Sequence, residues 1–154
     1  MYLYDEKSNT LQTKAVRGIR IGCFKFAADR GIVGGVFSKG KGIILESAYD
    51  DDRFDKTLDK YRKSVTKNIL CVPLKCEDHC YGCLELANKQ GGFSSEDYDF
   101  VNAMTTELAS KIRIVRDTTR NHIDKIANEN LLNPLLKNIL IILANILKCD
   151  KYFY

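Results

Sequence analysis

The stretch "CLELANKQGGFSSEDYDF", residues 83–100, decides the fold. It opens with apolar residues at alternate positions, which is the pattern of a strand with one buried face. Asn88 and Lys89 end that pattern, a pair of glycines supplies a turn, and a helical pattern follows. Asp97 falls in the first turn of this helix, where the helix dipole favours a negative charge. We therefore expect Lys89 to leave a strand and pair with Asp97 across the glycine turn.

The segments around this stretch predict a central antiparallel sheet. Hairpins are indicated in "YLYDEKSNTLQTKAV" and between "ILCVPLK" and "CYGCLELAN", "GIILES" is a further strand, and "IRIGCFKF" is a loop with a short strand. "ADRGIVGGVFSKGKG" predicts a short helix, with Asp29 as its cap and Gly40 as its end. With the polar loop that precedes "ILCVPLK" and the long helix after the glycine turn, this order predicts an α+β fold in which helices flank the sheet.

The composition is that of one globular domain. The chain has 154 residues, of which 45% are hydrophobic and 29% charged, and its net charge is +4. Because charges of both signs are interspersed, we expect no nucleic acid partner. The N-terminus carries neither the basic nor the apolar region of a signal peptide, so we expect a cytoplasmic protein whose six cysteines are thiols.

The most apolar window is "LLNPLLKNILIILANIL", residues 131–147. It contains three Asn, one Lys and one Pro in 17 residues. A helix that spans a bilayer needs about 20 mostly apolar residues. We interpret the window as a core helix and expect no membrane partner.

A cluster of metal-type ligands invites a zinc interpretation. Cys71, Cys76, His79, Cys80 and Cys83 fall within 13 residues, and a structural zinc site needs four such ligands in a tetrahedron. Neighbours on a strand point to opposite faces, however, and only the three central residues share the hairpin turn. Buried thiols and turn residues explain the cluster better, so we expect no metal site.

Catalytic motifs are not found in the sequence. Neither His79 nor His122 has a serine or cysteine nearby in a nucleophile context. The glycines around Gly40 lack the spacing of a phosphate-binding loop. We therefore expect no catalytic residues.

A long helical stripe follows residue 94. Its apolar members are spaced three, four or seven residues apart, which indicates a signalling helix with a pairing seam. We expect a homodimer through residues 94–126. The stripe consists of Val101, Met104, Leu108, Ile112, Val115, Thr119 and Ile126.

Four blocks, in order, carry a family resemblance. They are "ADRGIVGGVFSKGKGIILESAYDDDRFD", "TKNILCVPL", "YGCLELANK" and "NKQGGFSSEDY". Over residues 1–115 the chain resembles the GAF domain family, and in particular the cyclic-nucleotide-binding GAF domains of phosphodiesterases and related adenylyl cyclases. Tyr98 stands where the last block of the family has Glu.

The resemblance implies a structural lock and a ligand pocket. In the family, the lysine and aspartate of the last block form a salt bridge near a closed pocket, and backbone amides at a helix N-terminus bind the cyclic phosphate. Where the family stacks and reads the base with Phe-Asp, this chain has Val16-Arg17. The implied lock residues are Asn88, Lys89, Phe93 and Asp97, and the implied ligand-binding residues are Ile32, Val33, Tyr49, Thr66, Glu85 and Arg17.

The resemblance also implies a tandem arrangement. Residues 1–115 form a GAF domain without its N-terminal helix, and residues 116–130 form a connecting helix or linker. Residues 131–154 resemble the opening helix and strand of a second GAF domain. Alternatively, they complete the first sheet, in the same chain or in a swapped dimer.

The function implied is that of a regulatory module without catalytic activity of its own. It senses cyclic GMP or cyclic AMP as its ligand, needs no other cofactor, and signals through the dimeric helix to an effector domain, such as a phosphodiesterase, in the full-length protein. The alternatives are a dimerisation module without ligand, a thiol-based reductase of free methionine sulfoxide, and a tetrapyrrole-binding domain.

Overall fold

A computed structural model describes residues 1–16, 24–56, 59, 65–121 and the single positions 134, 138, 139, 141, 142, 145 and 147, with the side chains of the long helix described to residue 117. The strands are β1 (Tyr2–Asp5), β2 (Thr10–Thr13), β3 (Lys25–Ala27), β4 (Ile43–Leu45), β5 (Ile69–Cys76) and β6 (His79–Ala87). The helices that are described from end to end are α1 (Gly31–Lys39) and α2 (Ser95–Asn121), and a 3-10 turn spans Ala48–Asp50.

The six strands form one antiparallel sheet in the order β3-β2-β1-β6-β5-β4. The two predicted hairpins, β1–β2 and β5–β6, lie side by side at its centre, where β1 pairs with β6. β3 is the short strand within "IRIGCFKF" and forms one edge. The predicted α+β fold, with helices flanking an antiparallel sheet, is confirmed.

One face of the sheet packs against α2. Alternate residues of β5, such as Leu70 and Val72, are buried on this face, and Val101, Leu108 and Ile112 of α2 belong to the same core cluster. Burying a side chain of this size contributes about 1.5–3 kcal/mol. The cluster on the α2 face has more buried members than the cluster on the opposite face, so it is the larger part of the apolar core.

This packing corrects the predicted pairing seam. Val101, Leu108 and Ile112 are at most 3% exposed and pack on the domain's own sheet, with Met104 partly buried beside them. A helical period identifies a buried stripe but cannot distinguish a sheet from a partner helix. Val115 is half-buried, whereas the Thr119 side chain and Ile126 lie outside the described residues, and the dimer stays a prediction.

The opposite face packs against α1. Ile69 and Cys71 of β5 and Cys83 of β6 are buried there with Ile32 and Val36 of α1. Because side chains alternate along a strand, β5 and β6 supply both faces of the sheet from neighbouring residues. The two clusters are separated only by the sheet itself.

The ends of α1 agree only partly with the prediction. Gly40 has φ +60° and its N–H bonds the Val36 carbonyl, so the predicted end is confirmed. The predicted cap is wrong, because the cap position is Arg30 and no side-chain hydrogen bond is made there. Asp29 instead passes so close to Gly34 that a Cβ at Gly34 would lie 2.3 Å from the Asp29 carbonyl carbon.

The end of the chain is described only in part. α2 runs without interruption from Ser95 to Asn121, through the predicted boundary at residue 115. Leu147 is buried in the α2-face cluster and Ile139 packs against it. Most of residues 116–154 lie outside the described positions, so the predicted domain division is not tested. No helix among the described residues is both long and apolar enough to cross a membrane.

A β-bulge interrupts the central hairpin. Pro73 pairs with Cys83 but Lys75 pairs with Cys80, so two residues of β6 lie opposite one residue of β5. One of these two is Gly82, which also pairs with β1. The bulge therefore lies where three strands meet.

We expect Gly82→Ala to destabilise the fold. A Cβ at Gly82 would lie 2.1 Å from the carbonyl oxygen of Tyr2, so β1 would have to move. Overpacking of this kind costs about 1–3 kcal/mol, which urea denaturation followed by circular dichroism measures. Gly91→Ala is the control, because Gly91 also has positive φ but a Cβ there meets no atom within 4 Å. Equal losses in the two variants would contradict this account.

Candidate functional site

A cavity of about 170 Å³ lies between the start of α1, the edge strand β3 and the α1 face of the sheet. Four of the predicted ligand-binding residues line it, namely Ile32, Val33, Thr66 and Glu85. Arg17, the base-reading residue expected from the sequence, lies outside the described residues. The cavity is therefore assembled from segments that are up to 83 positions apart in the sequence, from Tyr2 to Glu85.

The first turn of α1 forms one wall of the cavity. Gly31, Ile32 and Val33 line it there. The first N–H groups of a helix have no partner within the helix. α1 has neither an acidic residue in its first turn nor a side-chain cap at Arg30. The amides and the dipole give this wall a positive partial charge, which favours an anionic group.

Aromatic rings form a second wall, which the sequence analysis missed. Phe24 and Phe26, from the segment leading into β3 and from β3 itself, line the cavity together with Tyr2 and Phe54. The rings of Tyr2 and Phe26 meet edge to face, with centroids 5.3 Å apart. The available signal was the i, i+2 spacing of the two phenylalanines, which places them on one side of an extended segment.

Charged side chains line the cavity too. Arg30 and Asp55 form an ion pair at 2.5 Å, and both are lining residues. Lys25 also lines the cavity, and its ammonium lies 3.9 Å from Asp5. Because the Arg30 side chain is 62% exposed, its ion pair contributes little to stability and is open to exchange for a ligand anion.

A buried carboxylate fixes the wall at Thr66. Asp59 is 4% exposed and accepts hydrogen bonds from the Thr66 amide at 2.6 Å, the Thr66 hydroxyl at 2.7 Å and the Tyr49 hydroxyl at 3.1 Å. Tyr49 thus lies behind the cavity wall, with its ring 5.2 Å from that of Phe54. Burial and then the hydrogen bond to Asp59 raise the pKa of Tyr49, so the phenol stays a donor.

The predicted partners Lys89 and Asp97 are in direct contact at the start of α2. Their side chains are only 20% and 13% exposed. Asp97 also accepts from the Ser94 amide at 2.8 Å, while its own amide donates to the Ser94 hydroxyl at 3.3 Å. This reciprocal pair is a capping box, so one carboxylate both begins the helix and ties it to the end of β6.

Two asparagines connect this lock to the cavity. Asn88, at φ +59°, accepts from the Lys67 amide at 2.6 Å and donates to the Val65 carbonyl at 3.0 Å. Asn68 accepts from the Lys89 amide at 2.9 Å and donates to the Lys89 carbonyl at 3.0 Å. The end of β6 is therefore bonded to the segment 65–68, which also supplies a cavity wall.

The predicted residues thus fall into two groups. The cavity group is linked to the lock through the segment before β5, and Phe93, the remaining lock residue, is buried in the α2-face core. Among the residues described, no group of three or more Cys, His, Asp or Glu side chains is arranged so that it could hold a metal ion.

The sequence agrees with this architecture at the level of the family. Residues 2–112 match the model of the GAF domain family. The chain belongs to the GAF domain family. The resemblance drawn from the four sequence blocks is confirmed.

The curated relatives of this GAF domain include cyclic-nucleotide phosphodiesterases. It is 37% identical over 76 residues to the probable 3',5'-cyclic phosphodiesterase pde-5 of Caenorhabditis elegans, which covers 49% of this chain and 10% of that protein. It is 33% identical over 82 residues to the dual 3',5'-cyclic-AMP and -GMP phosphodiesterase 11 of Drosophila melanogaster, covering 51% of this chain and 6% of that protein. The chain therefore spans a tenth or less of the length of these relatives.

Solved GAF structures share the fold. The GAF domain of a phosphoenolpyruvate-protein phosphotransferase from Coxiella burnetii superposes with a TM-score of 0.70 at 17% identity, covering 77% of this chain and 73% of that one. The free methionine-R-sulfoxide reductase of Neisseria meningitidis superposes with a TM-score of 0.60 at 18% identity, covering 76% and 67%. At these identities the comparison shows the fold alone.

We expect Asp97→Asn to remove stability that depends on pH. Burial raises the pKa of Asp97, but the hydrogen bonds from Lys89 and Ser94 outweigh it, so the pKa lies below its ordinary value of 3.8. The charged form therefore stabilises the folded state above that value, and the contribution disappears as the pH falls below it. Urea denaturation between pH 7 and pH 3 should show a loss in the variant that shrinks towards acid.

Asp99→Asn is the matched control for this prediction, because Asp99 is exposed in the first half of the same helix. It should leave the free energy of unfolding within about 0.5 kcal/mol of the wild type. A loss in Asp97→Asn that is the same at both ends of the pH range would contradict a role for the charge.

Proposed function

We propose that this GAF domain is a regulatory module that binds a cyclic nucleotide in the cavity and signals binding through α2. The observation that carries the proposal is the composition of the cavity wall. An uncapped helix N-terminus, aromatic rings and a carboxylate face one space, and these match the phosphate, the base and the hydrogen-bonding edge of a nucleotide. The named relatives that act on cyclic nucleotides support the choice of ligand.

The cyclic phosphate binds at the first turn of α1. Its single negative charge meets the amides of Ile32 and Val33 and the positive end of the dipole. Arg30 and Lys25 line the same space and add two cationic groups. A linear 5'-nucleotide has an open phosphate of a different shape, so discrimination in favour of the cyclic ester rests on the fit of the cavity and not on its charge.

The base lies between the aromatic rings. Phe24 and Phe26 provide apolar faces, and stacking a base on such a ring is worth about 1–3 kcal/mol. Glu85 and Thr66 also line the cavity. The Glu85 carboxylate, and the Thr66 hydroxyl oxygen whose proton goes to Asp59, accept hydrogen bonds from polar groups of the base or ribose. These groups take the role that the Phe-Asp pair has in the family, where this chain has Val16-Arg17.

Binding reaches α2 through the segment 65–68. Thr66 lines the cavity, and its neighbours bond the residues that end β6, among them Lys89. Lys89 in turn contacts Asp97, which caps α2. A ligand shifts this junction only if it binds one arrangement more tightly than the other. Signalling to an effector in a longer cytoplasmic protein, through a dimer, is part of the same proposal.

Calorimetric titration tests the ligand directly. We expect cyclic GMP or cyclic AMP to bind the chain, and Glu85→Gln and Phe26→Ala each to weaken binding at least tenfold, which is about 1.4 kcal/mol. Glu107→Gln, an exposed substitution on α2, is the control and should leave binding unchanged. The matching 5'-monophosphates should bind more weakly than the cyclic esters.

A folded chain that gives no heat and no thermal shift with either cyclic nucleotide would contradict the proposal. It would favour a GAF module that pairs subunits without a ligand. Circular dichroism on each variant separates lost binding from lost folding.

A further inference from the structure

We propose that Cys80 and Cys83 are an oxidisable thiol pair that closes to a disulfide and thereby changes the α1 wall of the cavity. The pair is not part of the binding site described above. The disulfide itself depends only on the two thiols. Its effect on ligand affinity rests on the proposed function.

The β-bulge places both thiols on one face of β6. Strand residues three apart normally point to opposite faces. Here Tyr81 and Leu84 are both buried against α2, so the alternation is reversed between them. Cys83 is buried in the α1-face cluster, and Cys76 packs with the α2 face. Cys80 pairs with Lys75, the strand neighbour of Cys76, and therefore points to the α1 face as Cys83 does. An undisturbed strand would have separated the pair.

The two thiols lie close together and differ in exposure. They are near enough for each to affect the pKa of the other. Cys83 is fully buried, and its Sγ donates to the Val33 carbonyl of α1 at 3.6 Å. Cys80 is half-buried and its Sγ lies 3.3 Å from the Gly82 carbonyl. An oxidant from solvent therefore reaches Cys80 first.

The two thiols also differ in acidity. Disulfide formation needs one thiol that ionises easily and attacks the oxidant, and Cys80 is the more acidic of the two. The neighbouring Cys83 thiol, with the backbone at Gly82 and the charge of Lys75, outweighs burial and lowers the pKa of Cys80 to about 7. Burial, and then the neighbouring thiols of Cys71 and Cys80, raise the pKa of Cys83 well above its usual value. Near neutral pH, Cys80 supplies a thiolate and Cys83 keeps its proton.

Hydrogen peroxide is a sufficient oxidant. The Cys80 thiolate attacks one peroxide oxygen, the O–O bond breaks, and the released hydroxide takes up a proton to leave as water, giving a sulfenic acid. The Cys83 sulfur then attacks the Cys80 sulfur, the S–O bond breaks, and the hydroxyl leaves as water with the Cys83 proton. In total, two thiols and one peroxide become one disulfide and two waters.

Closure requires the α-carbons to come within about 7 Å. The bulge permits this movement because the ladder is already interrupted there. Cys83 then loses the proton that it donates to the Val33 carbonyl, and its sulfur moves towards Cys80. Since Val33 lines the cavity, ligand affinity changes with the state of the pair, and by linkage a bound ligand changes the ease of oxidation.

Peptide mapping of the peroxide-treated chain tests the disulfide without any ligand. Cleavage after lysine and glutamate leaves residues 78–85 as one fragment, which contains Cys80 and Cys83 and no other cysteine. We expect this fragment to lose two hydrogen atoms on oxidation and to regain them with dithiothreitol. Cys80→Ser and Cys83→Ser should abolish the change, and Cys76→Ser, on the other face, should not.

Two results of the mapping would overturn the disulfide. One is a fragment 78–85 that stays reduced, or stops at a sulfenic or sulfinic acid, while circular dichroism shows a folded protein. The other is a bond from Cys83 to Cys71, which lies on the neighbouring strand. A control digest under denaturing alkylation excludes exchange after unfolding.

Calorimetry on the oxidised and reduced chain tests the coupling. We expect oxidation to weaken nucleotide binding at least threefold, reversibly, and to leave affinity unchanged in Cys80→Ser. Equal affinities in the two states would overturn the coupling but not the disulfide. Failure of the reduced chain to bind any nucleotide would overturn the proposed function and the coupling with it, while the peptide map still decides the disulfide.

Discussion

The hydrogen bonds that tie Asn68 and Asn88 to the opposite chain segment are the constraint on which the rest of the site depends. They join the start of β5 to the end of β6 by side chains, beyond the last rungs of the ladder. Polar groups in such part-buried positions are costly when unpaired, so each bond holds the next in place. Thr66 is thereby fixed at the cavity, and Lys89 is fixed beside Asp97.

The sheet places this junction between two unequal layers. The α2 face contains the larger cluster and holds the helix through Val101, Leu108 and Ile112. The apolar cluster on the α1 face is smaller. The cavity lies on this face, and much of the polar part of its wall comes from backbone amides and from loops. A ligand in the cavity would therefore contact the smaller layer. The asparagine hydrogen bonds and the Lys89–Asp97 pair connect the cavity to α2 through polar contacts at the ends of the strands β5 and β6. The apolar core connects the two layers only by side-chain packing.

Sequence reasoning predicted the elements whose cause is local. Alternation indicated β5 and β6, Gly40 marked the end of α1, and the spacing from Lys89 to Asp97 indicated their pairing. Four residues of the cavity wall were predicted from their positions in the family motifs and not from geometry, namely Ile32, Val33, Thr66 and Glu85. The predictions therefore concern residues that are close in the chain or that lie in one of the four motif blocks.

The features that were missed depend on contacts that no local sequence pattern marks. Phe26 faces the cavity because β3 pairs with β2, and Asp59 contributes because it accepts hydrogen bonds from the amide and the hydroxyl of Thr66. Val101 and Ile112 form a stripe that any apolar partner would explain, so only the fold shows that the partner is the sheet. Cys80 and Cys83 share a face solely because of a bulge that the sequence does not mark.

The central claim is that the cavity and the start of α2 are one coupled unit, and hydrogen exchange tests it most directly. Amide exchange is followed by mass spectrometry in the chain alone and with saturating cyclic GMP or cyclic AMP. The account predicts slower exchange not only in the first turn of α1 but also at residues 65–68, 88–89 and 94–98, with the last effect lost in Lys89→Ala. Slower exchange confined to the cavity wall, with residues 88–98 unchanged by a bound nucleotide, would contradict it.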